Sequence, residues 1–398
     1  MARAKATPVW AVLTVCLLAA MLEGFDIQSM GVAAPRMVPA LGLTPGQAGW
    51  AFSASLIGLM IGATFGGAIA DRIGRRPVLV LSAAAFGLFS LATPLAKDFA
   101  PLLAVRLVTG LGLGGAMPML IALTSEQAGA ARKATLVAVV TAGMPLGGAL
   151  AGLLARSPLA QDWRMIFVVG GVAPLLITPL LHLTLPLGRP EAIERQGRTA
   201  LAALFARERL TITLSLWAGC ALAALTLHLL LNWLPTLLVA RGLPKSAAFG
   251  AAALFNLGGA SGGVVLGLLT DRFGPRWPLI GSFAALALAL LGLAAAGDGG
   301  EIGALSFLAG FLLMGGQFTL YGLAPRLYAD AVRGTGVGAA IAASRLGSIF
   351  GPLAAAELIG GGATGATVVG ALVPVALATG VAAGVLAWAG RMNSDAIQ

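Results

Sequence analysis

Charge is what this sequence has least of. Of its 398 residues only 10% are Asp, Glu, Lys or Arg, against roughly a quarter in a soluble globular chain. That excludes an ordinary water-soluble fold. Cysteine and histidine are nearly absent as well, with two of each. Cys16 and Cys220 both fall in apolar stretches, so a disulfide framework is excluded and each reads as a small packing residue. Neither His182 nor His228 has a partner at metal-ligand spacing, so no metal site is expected. No Gly-x-x-x-x-Gly-Lys-Ser/Thr occurs, so ATP is not the expected energy source. The Gly-x-Ser-x-Gly string at Gly259–Gly263 lies inside an apolar run with no strand-to-helix turn, so it offers no hydrolytic nucleophile either. TGLGLGGAMP, residues 109–118, is glycine-rich but lies in an apolar run with no βαβ context, and reads as a packing face rather than a dinucleotide loop. An enzyme is not expected, and no cofactor is.

What is there is hydrophobic: 58% of the chain, gathered into about a dozen continuous runs. Each approaches the roughly 20 apolar residues that a helix needs to cross a bilayer. A β-barrel would show short alternating segments instead. The predicted spans are 9–34, 47–70, 77–96, 101–124, 135–155, 164–186, 211–238, 247–270, 277–296, 302–325, 335–356 and 366–390. The 56 glycines suit close helix packing in lipid, which supplies no hydrophobic drive for association. The first run follows Arg3 and Lys5 but exceeds the roughly 7–15 residues of a signal-peptide core, so it reads as a retained helix.

The net charge of +10 does not point to nucleic acid. Arg72, Arg75, Arg76, Arg132, Lys133, the cluster from Arg189 to Arg209, Arg272, Arg276 and Arg333 occupy one set of loops. Arg36, Lys97, Arg156, Arg164, Arg241 and Lys245 are all that the alternate loops hold. This bias places both termini on the cytoplasmic side of a plasma (bacterial inner) membrane.

The chain also repeats itself. GGAIADRIGRRP from Gly66 returns as LGLLTDRFGPRWP from Leu266, so that Gly67, Asp71, Arg72, Gly74 and Arg76 map onto Gly267, Asp271, Arg272, Gly274 and Arg276. Gly110 and Gly115 map likewise onto Gly310 and Gly315. A parallel repeat of six spans implies two bundles related by an axis along the membrane normal. The expected fold is all-α and membrane-integral: twelve transmembrane helices in two pseudo-symmetric six-helix bundles. Residues 1–186 form the first, 187–210 a cytoplasmic linker, and 211–398 the second.

GGAIADRIGRRP resembles the loop between helices two and three of the major facilitator superfamily, and RLVTGLGLGGAMP, from Arg106, its helix-four motif. Four stretches resemble that superfamily's aromatic acid:proton symporters more narrowly: EGFDIQSMGVAAP, TGLGLGGAMP, NWLPTLL and GGQFTLYGLAPRLYADAVRGTGVG. In helix one that family has Asp-Gly-Phe-Asp, whereas Glu23 stands first here. The resemblance implies import of a small organic acid, an aromatic carboxylate or its degradation product, together with protons, by a protein sufficient as a monomer.

Glu23 and Asp26 are three apart, hence about 60° and about 4.5 Å apart on one helix face. Acids in mid-membrane face a cavity or partner and mark proton or ion pathways. Two close together do not both ionise readily, so one is expected to load and release a proton. A permanent structural ion pair is the plain alternative. Arg106 stays charged when buried and needs a counter-ion; helices one and four are neighbours in the resembled fold, which makes Asp26 or Glu23 its candidate. Arg345, in helix eleven, can grip a planar carboxylate through two parallel hydrogen bonds, and the resemblance makes it a substrate ligand; an internal ion pair is the alternative.

His228 and Asn232 are four apart on one face, with Trp233 beside them; they suit an oxygenated ring or simple packing equally. Gln317 and Tyr321, again four apart, could join the same site. Asp71 could receive hydrogen bonds at a helix N-terminus, while Arg72 and Arg76 could bridge acids such as Glu126, with Asp271 and Arg272 doing likewise in the second half. Such contacts would gate the conformational cycle; a solvated turn is the alternative. The rivals to proton-coupled import are a proton-coupled exporter of drugs or metabolites, an intramembrane enzyme, and a sensor that binds without transport.

Overall fold

The computed structural model describes residues 8–127, 133–185, 204–328 and 330–395. Among them are twelve helices long and apolar enough to cross a membrane. They are α1 (Val9–Ala40), α2 (Pro45–Ile73), α3 (Arg75–Leu95), α4 (Phe99–Gln127), α5 (Thr135–Arg156) and α6 (Arg164–Thr184), then α7 (Arg209–Ala240), α8 (Lys245–Phe273), α9 (Arg276–Ala295), α10 (Gly299–Leu327), α11 (Val332–Gly360) and α12 (Gly365–Trp388). No strand occurs among the described residues. The chain is a multi-pass membrane protein. Residues 187–203 of the expected linker lie outside the described residues, as does Arg132.

Several helices overrun their predicted spans. The largest overrun at a single end is in α1, which continues to Ala40 through Pro35 and Pro39. Proline ends helices in water, but membrane helices tolerate it because neighbours satisfy the freed backbone groups. Arg36 therefore belongs to a helix and not to a loop. Its Nη1 donates to the carbonyls of Ala155 (3.1 Å) and Ala160 (2.7 Å), tying α1 to the turn after α5.

The chain divides into two compact units, Met1–Leu43 with Trp50–Ile193, and Thr44–Gly49 with Glu194–Gln398. Each is built by the same pairings. In the first, α1 packs on α5, α2 on α4 and α3 on α6; in the second, α7 packs on α11, α8 on α10 and α9 on α12. The most enclosed helices are α4 and α10, 61% buried over their apolar windows, and α6 and α12 are the least, at 33%. Lipid is the natural solvent for the latter pair. The fold is the two-bundle architecture the repeat implied.

Local details repeat with the same 200-residue shift. Asp98 caps α4, accepting from the Ala100 amide at 3.1 Å, and Asp298 caps α10, accepting from Gly300 at 2.9 Å and Glu301 at 3.3 Å. Gly110 lies against the Ser55 backbone and Gly310 against that of Phe255, each so close that a Cβ would collide with a carbonyl oxygen. Gly74 and Gly274 turn the chain between helices at φ 91° and 76°, a region L side chains avoid. Cys16 sits wholly buried in the first unit's apolar core with Leu79, Leu113 and Leu120, and Cys220 is equally buried in the second. Both pack.

Candidate functional site

Asp26 lies mid-way along α1 and Arg106 in the second turn of α4, and the structure brings them together. Arg106 Nη2 donates to Asp26 Oδ2 at 2.8 Å and Nη1 to Oδ1 at 3.4 Å. Neither side chain is exposed at all. Ser90 of α3 donates to Asp26 Oδ1 at 2.8 Å, and Arg106 Nε donates to Ser55 of α2 at 3.0 Å. The guanidinium carbon lies 5.5 Å from the centre of the Phe167 ring. Four helices and an aromatic from a fifth thus enclose one ion pair. A charge inside a low-dielectric interior is tolerated only when paired and hydrogen-bonded, and this one is both. Glu23, one turn before Asp26, is also buried, at 1% exposure. Of the two acids suggested for Arg106, Asp26 takes it.

The small residues make the enclosure geometrically possible. Gly110 lies one turn beyond Arg106 and admits the Ser55 backbone directly against α4. That approach sets Ser55 within hydrogen-bonding distance of the guanidinium. Gly170 of α6 faces the Phe25 ring in the same way, beside Asp26.

In the second unit a separate polar cluster spans α10 and α11. Gln317 Nε2 donates to Tyr321 Oη at 2.8 Å and to Ser344 Oγ at 3.3 Å. Tyr321 and Ser344 share a third, short hydrogen bond. Arg345 follows Ser344 in α11 and is half-buried. Gln317, Tyr321 and Ser344 therefore share one neighbourhood, and His228 lies in α7, the helix packed on α11. His228 Nδ1 is 3.0 Å from the Ala224 carbonyl. A carbonyl only accepts, so Nδ1 carries the hydrogen and Nε2 is the nitrogen a ligand could engage.

Two of the expected ligands are differently placed. Asn232 Nδ2 donates to the His228 carbonyl of its own helix at 2.8 Å, leaving its oxygen as the functional end. Trp233 is 2% exposed, with its N–H given to the Pro352 carbonyl at 3.0 Å. It is a strut from α7 to α11 and not a wall open to a ligand.

The loop residues also depart from expectation. Glu126 pairs with Arg75, and not with Arg72 or Arg76. The reason is position: Arg75 opens α3 directly after the Gly74 turn, whereas Arg72 lies exposed in the last turn of α2 beside the exposed Asp71. Asp271 meets Arg326 at 3.8 Å, with both side chains about two-thirds exposed or more (71% and 67%). Arg272 lies over the neighbouring Phe273 ring at 5.4 Å. Each of these contacts stays inside one unit. Glu357, unassigned from sequence, is an exposed acid in the last turn of α11.

Sequence reading missed Ser55, Ser90, Phe167 and Ser344. A lone serine in an apolar span usually bonds back to its own helix, as Ser29 does to the Phe25 carbonyl. Nothing in the text distinguishes Ser90 from Ser29. No cluster of metal-binding type occurs among the described residues.

The family model of the Major Facilitator Superfamily matches residues 16–352. A 3-(3-hydroxy-phenyl)propionate transporter of Escherichia coli (strain K12) is 42% identical over 371 residues, covering 93% of this chain and 92% of that protein. A gallate transporter of Pseudomonas putida is 33% identical over 386 residues, 86% of this chain and 84% of the relative. Among solved structures, a D-xylose-proton symporter superposes with a TM-score of 0.76 at 19% identity, over 93% of this chain and 97% of the other; at that identity it speaks for the fold alone. The chain belongs to the major facilitator superfamily, and is a transporter rather than an enzyme.

Proposed function

We propose that this protein imports a small aromatic carboxylate together with protons across the inner membrane, with both termini on the cytoplasmic side and the chain working as a monomer. The relatives named above carry hydroxylated aromatic acids by their names. The observation in this chain that carries the proton half of the reading is the sealed pair of Asp26 and Arg106. Protonation of Asp26 removes the charge that holds Arg106, so proton binding has a structural consequence. Glu23, one turn away on the same helix and buried, is the second carboxylate to which Arg106 can turn when Asp26 holds the proton.

Arg345 receives the substrate carboxylate through its planar fork. His228 Nε2, the Asn232 oxygen and the Gln317–Tyr321 pair orient the ring. The six-helix halves 1–186 and 211–398, joined by 187–210, alternate access to that site, and Asp71, Arg72, Arg76, Glu126, Asp271 and Arg272 tune the motion at the loops. Substrate and proton drive the cycle only by their differential affinity for its states.

The test is uptake into proteoliposomes of labelled benzoates, hydroxybenzoates, phenylpropionates and a neutral aromatic, with and without an inward proton gradient. Gradient-driven accumulation of an aryl acid is the expected result. If every acid stays flat while a lipophilic cation moves against the proton gradient, the protein is an exporter.

A further inference from the structure

We propose that Gln317, Tyr321 and Ser344 form a subsite that reads a hydroxyl group on the substrate's aromatic ring, with Gln317 Oε1 accepting the hydroxyl hydrogen. This rests on the aryl-acid reading above and adds to it the ring substituent that is recognised and the atoms that recognise it.

The argument is a count of hydrogens. Both hydrogens of Gln317 Nε2 are used, one on Tyr321 Oη and one on Ser344 Oγ. Tyr321 and Ser344 share one further hydrogen between their oxygens. Two hydroxyl groups bring two hydrogens, so one O–H of the pair is left over. Gln317 Oε1 has no hydrogen-bond partner, although Gln317 is only 4% exposed. The closed triangle therefore carries one surplus donor and one surplus acceptor.

A buried acceptor left unsatisfied carries the full cost of its lost hydration, and its natural relief is a ligand. A carboxylate only accepts, so it has no hydrogen to give Oε1, itself only an acceptor. An ammonium group only donates and would leave the spare O–H unused. A hydroxyl does both and satisfies both atoms at once. Arg345 is the next residue after Ser344 in α11. A substrate whose carboxylate engages Arg345 thus has its ring hydroxyl to place on the neighbouring triangle, where Tyr321, like Arg345, is half-buried.

The same surplus explains discrimination. An acid without the ring hydroxyl leaves Oε1 unsatisfied in the loaded state, so selectivity comes from the protein's own buried polar atom rather than from pocket size.

The experiment measures kcat/KM for uptake by the full chain in proteoliposomes, using 3-(3-hydroxyphenyl)propionate against 3-phenylpropionate and its 3-fluoro analogue, and 4-hydroxybenzoate against benzoate. The wild type should favour the better-fitting hydroxylated acid over its parent by about tenfold, the worth of one net hydrogen bond. Fluorine, which cannot donate, should behave like hydrogen. Gln317→Met, of similar length and without the amide, should bring the ratio to within about twofold of one. A ratio unchanged in Gln317→Met, or a wild type that treats the pairs alike, overturns the subsite while leaving aryl-acid import standing. If the wild type accumulates none of these acids, the import reading itself fails and takes the subsite with it. Should Gln317→Met not fold, Gln317→Leu, which likewise removes Oε1, carries the test; an unchanged ratio there also overturns the proposal.

Discussion

Arg106 grips Asp26 with both terminal nitrogens, at 2.8 and 3.4 Å, and neither side chain has any exposed surface. Breaking such a pair from one side leaves the other charge buried alone, at a cost of about 3–5 kcal/mol. Asp26→Asn should therefore lower thermal stability in detergent by that order and abolish proton-driven accumulation. Replacing the pair with neutral groups, as in Asp26→Asn with Arg106→Met, removes the stranded charge and should restore most of the stability. Accumulation should stay absent. A well-folded double variant that still accumulates substrate under a proton gradient would take Asp26 out of the coupling mechanism.

Ser90 tests whether the enclosure is one network. Its hydroxyl donates to Asp26 Oδ1 at 2.8 Å, and a hydrogen bond to a charged acceptor contributes about 1.5–3 kcal/mol. Ser90→Ala should lose that much in the wild-type background. In the Asp26→Asn background the loss should shrink by more than half, because the acceptor is no longer ionic. A double-mutant cycle on unfolding midpoints measures the difference. Strict additivity would mean that Ser90 only fills space.

Much of this was legible in the sequence because membrane chemistry makes it so. An acid such as Asp26 or an arginine such as Arg106 stands out in an apolar run because lipid tolerates neither by accident. The exact shift of 200 residues announced the two halves, and it extends to the caps Asp98 and Asp298, which polar loop text concealed. What was not legible is partnership. Arg72, Arg75 and Arg76 are nearly equivalent as letters, and only the turn at Gly74 decides that Arg75 meets Glu126. Trp233 looked like a ring for a ligand to lean on, but its N–H is spent on Pro352, 119 residues away. Hydrophobic patterning carries no information on that contact.

The repeated glycines separate packing from motion. Gly110 and Gly310 each touch a facing backbone, whereas Gly67 and Gly267 have nothing within 4 Å of where a Cβ would stand. Gly110→Ala and Gly310→Ala should each destabilise by about 1–3 kcal/mol through overpacking, read as a fall in folded yield and unfolding temperature. Gly67→Ala and Gly267→Ala should be neutral or stabilising, by up to about 1 kcal/mol from helix propensity. A stable Gly67→Ala protein with slowed uptake would mean that this glycine serves the conformational cycle. Full activity would make it a vestige of the repeat.

Arg345 decides whether the second unit's cluster is a binding site. It is half-buried and follows Ser344, which is hydrogen-bonded to Gln317 and Tyr321. Lysine at this position keeps the charge but offers a single point instead of a planar fork. Arg345→Lys should raise the KM for an aryl carboxylate about tenfold, the worth of one charge-assisted hydrogen bond, and change the maximal rate less. The neutral Arg345→Gln should raise it further. Because the effect is on carboxylate geometry, the response of uptake to the size of the proton gradient should keep its slope in the lysine variant. An unchanged KM in Arg345→Lys, with stability reduced, would show the guanidinium holding helices together instead of substrate, and the carboxylate site would have to be sought elsewhere.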